Sequence, residues 1–142
     1  MEKSYIDTIR DKFQDLKDSN EELDKELLYF PELIQLLCDM LDNDIVDKDS
    51  RILINAALGY LIVANDIVPE DVYGPYGYMD DMYVACIVLG KLKSNYPDLI
   101  NRLWNNDVSF SKVLEDCTYK SEKFLDEKNL KERLLRYCGL SD

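Results

Sequence analysis

An all-α fold is what this sequence predicts, on three observations. Apolar residues recur at three- and four-residue steps nearly throughout the chain. No stretch alternates apolar and polar residues with period two between hairpin turns. Prolines and cap-forming side chains fall where such helices would start. The expectation is a compact domain of about seven to eight helices around a central hydrophobic helical hairpin at residues 50–95, with residues 1–142 forming one domain.

The elements follow in order. Ile6, Ile9, Phe13 and Leu16 form one apolar stripe behind Ser4, a candidate N-cap, and predict a first amphipathic helix. Asn20, Glu21 and Glu22 suit the positive start of a second, short helix carrying Leu23 and Leu27. Pro31 suits the first turn of a third helix, Glu32 to Leu41, with Leu33, Leu37 and Leu41 on one side. Ser50 is the expected cap of a fourth, from Arg51 to about Asn65. That helix has no charge from Ile52 to Asn65, so it is expected to be the central and most buried one. Gly59 within it, and Gly90 in the fifth helix, are expected to mark close helix packing.

Asp80 is the expected cap of the fifth helix, which carries Val84, Ile87, Val88 and Leu92. It should end near Asn95, because Tyr96 precedes Pro97 and is pushed out of helical geometry. Pro97 begins a sixth helix through Leu99, Ile100, Leu103 and Trp104, and Ser109 opens a seventh through Val113, Leu114, Cys117, Phe124 and Leu125. The last, from about Asn129, carries Leu130, Leu134, Leu135 and Cys138 and closes at Gly139 in a Schellman ending.

Composition narrows the function. Cys38, Cys86, Cys117 and Cys138 include no Cys-x-x-Cys pair, and no charged-then-apolar leader opens the chain, so the reading is a reduced, cytoplasmic protein. There is no histidine, which argues against zinc and against a serine or cysteine nucleophile with an imidazole base. Net charge is −12, and residues 1–50 hold 15 of the 29 acidic side chains against 6 basic ones. Such a field repels nucleic acid and anionic lipid and steers in a basic protein partner. The fourteen uncharged residues from Ile52 to Asn65 span about 21 Å as a helix, short of the ~20 apolar residues that cross a bilayer.

The stretch DIVPEDVYGPYGYMDD, Asp66 to Asp81, gathers carboxylates, glycines, prolines and tyrosines into one turn. Pro69, Gly74 and Gly77, with Pro75, set its bends. Asp66 can accept backbone N–H groups as the fourth helix exits, and Asp81 suits the dipole of the fifth. A sharper reading gathers Asp66, Glu70, Asp80 and Asp81 around Mg2+, Mn2+ or Ca2+, since oxygen-only donors suit hard cations. A third divides acid and nucleophile roles between two carboxylates in a hydrolase. Tyr73 and Tyr76 are candidates for an interaction surface, whereas Tyr78 and Tyr83 are expected to cover the hairpin's apolar seam.

The residues YLIVANDIVPEDVYGPYGYMDD resemble the YkvA-like family of domains of unknown function over about residues 50–92. That family's pattern is a hydrophobic helix bearing a Tyr, Asp-x-Ile/Val-Pro-Glu/Asp, a Gly-containing turn, and a paired Asp opening a second hydrophobic helix. The positions here are Tyr60, Asp66, Val68, Pro69, Glu70, Gly74, Gly77, Asp80 and Asp81. Many relatives carry Ser-Pro-Ile before the first Asp, where this chain has Val63, Ala64 and Asn65. The resemblance implies a helical hairpin within a helical domain and assigns no activity, cofactor or substrate. With the residues, it leads to the expectation of a small soluble helical protein acting as a non-catalytic interaction or regulatory module. The alternatives are a divalent-metal-binding protein or metal-dependent hydrolase using the turn carboxylates, and a peripheral membrane-associated protein.

Overall fold

The structure, a computed structural model, describes residue 11 and residues 25–62 and 78–139. Every regular element among them is helical. A 3-10 helix, Lys25–Tyr29, leads without a break into α1, Phe30–Leu41. Then come α2, Lys48–Ile62; α3, Met79–Asn95; α4, Pro97–Leu103; α5, Phe110–Glu127; and α6, Lys131–Tyr137. The all-α expectation holds, with six α-helices among the described residues where about seven to eight were expected. Ile6, Ile9, Phe13 and Leu16 lie outside the described residues, and Leu27 belongs to the 3-10 helix.

α3 is the axis of the packing. It lies against α1, α2, α4 and α5, most extensively against α5. From Met79 to Leu89 every residue but Ile87 is buried, so the first two-thirds of this helix is enclosed on all sides. This corrects the sequence expectation that the uncharged helix beginning at Arg51 would be the most buried. α2 exposes Asn55 and Gly59 and leaves Ile52 56% accessible, while Ile54, Ala57 and Tyr60 face the core. Absence of charge over Ile52–Asn65 is permissive of burial and does not enforce it.

The glycines are a second correction. A Cβ added at Gly59 or Gly90 meets nothing within 4 Å. Neither therefore serves a close helix crossing, and both are exposed.

Helix ends were read more accurately where the signal is local. Tyr96, ahead of Pro97, sits at φ −132° and ψ 50° and ends α3 at Asn95. Ser109 caps α5, its Oγ accepting the N–H of Lys112 at 3.3 Å. Gly139 adopts φ 71° after α6 and donates to the Arg136 carbonyl at 3.2 Å, one of the two bonds of a Schellman ending.

The start of α2 differs from expectation. Asp47, not Ser50, is the cap: its Oδ1 accepts the Ser50 N–H at 2.7 Å and its carbonyl accepts the Arg51 N–H at 3.0 Å. The choice is made from 49 residues away, where the Tyr96 hydroxyl donates to Asp47 Oδ2 at 2.7 Å and accepts the Asp47 N–H at 2.8 Å. Arg51 then ties the α1–α2 connection down. Its guanidinium donates to the carbonyls of Leu41, Asn43 and Val46 at 2.5, 2.6 and 3.0 Å, meeting the last carbonyl of α1 and two of the connection.

Two outcomes test this description. Gly90→Ala is expected to stabilise the chain by about 0.5–1 kcal/mol in urea denaturation, because the site is open and Gly carries the larger unfolded-state entropy; a loss of stability would mean a close crossing. The second concerns pH. The Ser50 N–H, then the Tyr96 hydroxyl, hold the Asp47 carboxyl below its ordinary value of 3.8. A carboxyl lowered in the folded state stabilises fully above its unfolded pKa, and that contribution fades as pH falls through the folded value. Asp47→Asn keeps a capping oxygen and removes the titration. Its melting temperature should therefore fall less steeply than the parent's as pH drops below 3.8, and run parallel to it near neutrality.

Candidate functional site

The described part of the signature is built where α2 ends and α3 begins. Tyr60 lies in the last turn of α2 and Asp80 and Asp81 in the first turn of α3. All three side chains are buried, Asp80 with no accessible surface at all. The Tyr60 hydroxyl donates to Asp80 Oδ2 at 2.5 Å, a short charge-assisted bond linking residues 20 apart. Asp80 does not cap α3, as had been expected. Tyr78 occupies the cap position and makes no side-chain cap bond, while Asp80, the second residue of the helix, is turned toward α2.

Two buried carboxylates in the first turn of a helix gain from the partial positive charge of that end. The Oδ1 atoms of both are sealed from solvent and accept no hydrogen bond among the described residues, although neither side chain stands alone. Cys138, the residue that ends α6, lies within reach of both charges. Burial, and then the charges of Asp80 and Asp81, push the Cys138 thiol up to about 11. Its neighbours therefore keep it protonated at neutral pH. Tyr78 completes the wall, its ring 5.5 Å from that of Phe30 in α1.

The tyrosines expected to cover the apolar seam are core residues. Tyr78 and Tyr83 are both buried, and Tyr83 donates to Glu122 Oε2 of α5 at 3.1 Å. Burial, with the Glu122 carboxylate beside it, raises the Tyr83 phenol above its ordinary range. Of the four carboxylates proposed as metal ligands, the structure brings Asp80 and Asp81 together, while Asp66 and Glu70 lie outside the described residues. Tyr73, Tyr76, Pro69, Gly74 and Gly77 also lie outside them. No group of three or more Asp, Glu, Cys or His side chains able to hold a metal ion occurs among the described residues.

The remaining thiols are free and none is activated. Burial pushes Cys86 up to about 12 and raises Cys117, which also faces the charges of Cys86, Glu26 and Asp116. Cys38 is raised by burial and by Asp39 and Asp42. The contribution of Tyr60 as a donor to Asp80, and the approach of Cys138, had no signal in local spacing. The one available clue was the presence of Tyr60 in the family pattern.

A family model described as protein of unknown function (DUF1232) matches residues 50–87. The uncharacterized protein ORF9 of Methanothermobacter thermautotrophicus is 31% identical over 128 residues, covering 89% of this chain and 86% of that protein. The chain belongs to the DUF1232 family. The DUF1232 match agrees with the resemblance read from the sequence over residues 50–92, and likeness to the archaeal relative extends well beyond that segment. It takes in Tyr60, Asp80 and the enclosed start of α3. No solved structure matches the chain.

Tyr60→Phe tests the hinge between α2 and α3. Removing the hydroxyl takes a charge-assisted donor from a carboxylate without access to water, and the expected loss is about 2–3 kcal/mol in urea denaturation. Tyr119→Phe, on the exposed surface of α5, should leave the midpoint nearly unchanged.

Proposed function

We propose that this DUF1232 chain is a non-catalytic protein-interaction or regulatory module that works in a reducing, cytoplasmic setting. The observation that carries the reading is the burial of Asp80 and Asp81 between Tyr60 and Cys138. General acid–base or metal-assisted chemistry needs substrate and water to reach the working oxygens. Here both carboxylates are enclosed, and Asp80 Oδ2 serves to join two helices. Four protonated thiols supply no ready nucleophile, and the chain has no histidine to act as a base. Among the described residues no helix is long and apolar enough to cross a membrane. A net charge of −12 favours a basic partner and disfavours nucleic acid.

Reconstitution from purified components tests this. The full chain is expected to form a complex of defined stoichiometry with a protein co-purified from its host, equally well with or without chelator. Turnover of a phosphate-ester or peptide substrate that requires magnesium or manganese, and that disappears in Asp80→Asn at an unchanged melting temperature, would overturn it.

A further inference from the structure

A groove of about 370 Å³ runs between α1 and the end of α4, and no residue of the signature lines it. Glu32, Gln35, Leu36 and Asp39 form one wall; their spacing places all four on a single face of α1. Leu103, Trp104 and Asn105 form the other. No lysine or arginine is among the lining residues. The two carboxylates are seven residues apart, about 10 Å along the helix.

The groove is set before anything enters it. Trp104 donates its Nε1–H to the Val108 carbonyl at 2.8 Å and meets the Phe110 ring edge-on, with centroids 5.4 Å apart and planes at 67°. With that donor engaged inside the fold, what the half-buried indole brings to the groove is its ring rather than its N–H. Gln35 donates from Nε2 to Asp39 Oδ1 at 2.9 Å and so orients the carboxylate, which as an acceptor of about four hydrogen bonds keeps room for a further donor. Leu103, half-buried, supplies apolar surface beside the ring, and Leu36 closes the floor from the core.

We infer that this groove seats an arginine side chain presented by a basic segment of a partner protein. The inference rests on the interaction-module reading and gives the partner its chemistry. A guanidinium stacks on an indole and forks onto a carboxylate in one pose, which an ammonium does not. The three methylenes of the arginine lie along Leu103. The volume is near the lower end for ligand sites, fitting one long side chain with its adjoining backbone. The overall charge of −12 draws the basic segment in.

Trp104 is the single tryptophan of the chain, so its emission reports on the groove directly. The full-length chain is titrated with a fluorophore-tagged Arg-Gly repeat peptide, its citrulline and lysine counterparts, and spermidine, reading both Trp104 emission and peptide anisotropy. The arginine peptide is expected to give a saturable change in both signals, the lysine peptide weaker binding, and the citrulline peptide none. Asp39→Asn should weaken Kd by about tenfold, and Glu127→Gln, the same charge change on the exposed end of α5, by less than about twofold. Peptide binding that leaves Trp104 unmoved and survives Asp39→Asn would overturn the groove while leaving the interaction reading intact. Spermidine binding as tightly as the peptide would overturn the partner segment in favour of a free polyamine. Absence of any peptide binding, with a partner still captured in the reconstitution, would likewise reject the groove alone.

Discussion

A carboxylate with no accessible surface, gripped by a phenol from the neighbouring helix, is the constraint on which the hairpin depends. Taking Asp80 out of water is expensive unless its oxygens are met by donors and by a favourable field. Tyr60 supplies the donor, and the first turn of α3 supplies the field. Both come with geometric conditions. α2 must end where its Tyr60 reaches the start of α3, and α3 must begin with its acids facing inward. Once those conditions are met, α3 is enclosed almost completely as far as Leu89, and α1, α4 and α5 have a common surface to pack on. A polar bond thus sets the register of an apolar core whose own packing forces are largely non-directional.

What local chemistry decides was legible in the sequence. The halt of α3 ahead of Pro97, the Ser109 cap and the left-handed Gly139 each follow from one residue's backbone preferences and its immediate neighbours. What distant chain segments decide was not. Asp47 and Ser50 are both good caps three residues apart, and the hydroxyl of Tyr96 selects between them. Asp80 was equally suited to capping, and Tyr60 drew it elsewhere. The relative burial of α2 and α3 was misread for a related reason. Absence of charge in α2 suggested the deeper burial, yet the two acids that open α3 are among the most deeply buried side chains of the described chain. The groove was missed because Trp104 and Asp39 belong to elements 65 residues apart, and neither had been singled out as a site residue.

The acidic character of the chain divides into two physical roles. Asp80 and Asp81 are shielded and act over the length of a hydrogen bond, fixing structure. Glu32 and Asp39 are partly accessible and line the same groove as Trp104. Exposed pairs such as Lys112–Asp116 and Lys131–Asp126, each at 3.2 Å, belong to neither group and add little, since water and salt screen them.

That division bears on what membership of the family can mean. The segment matched by the family model, residues 50–87, contains the Tyr60–Asp80 bond and most of the buried part of α3, while every residue lining the groove lies outside it. A device that fixes the angle and register of two helices can be shared without sharing a ligand, because none of its polar atoms is presented outward. Recognition then falls to surfaces that the device holds in place. Here it holds α3, which packs on both α1 and α4, and those two helices carry the two walls of the groove. Among the described residues the signature is therefore linked to the groove through the packing of α3, while Tyr60, Asp80 and Asp81 present almost no surface themselves.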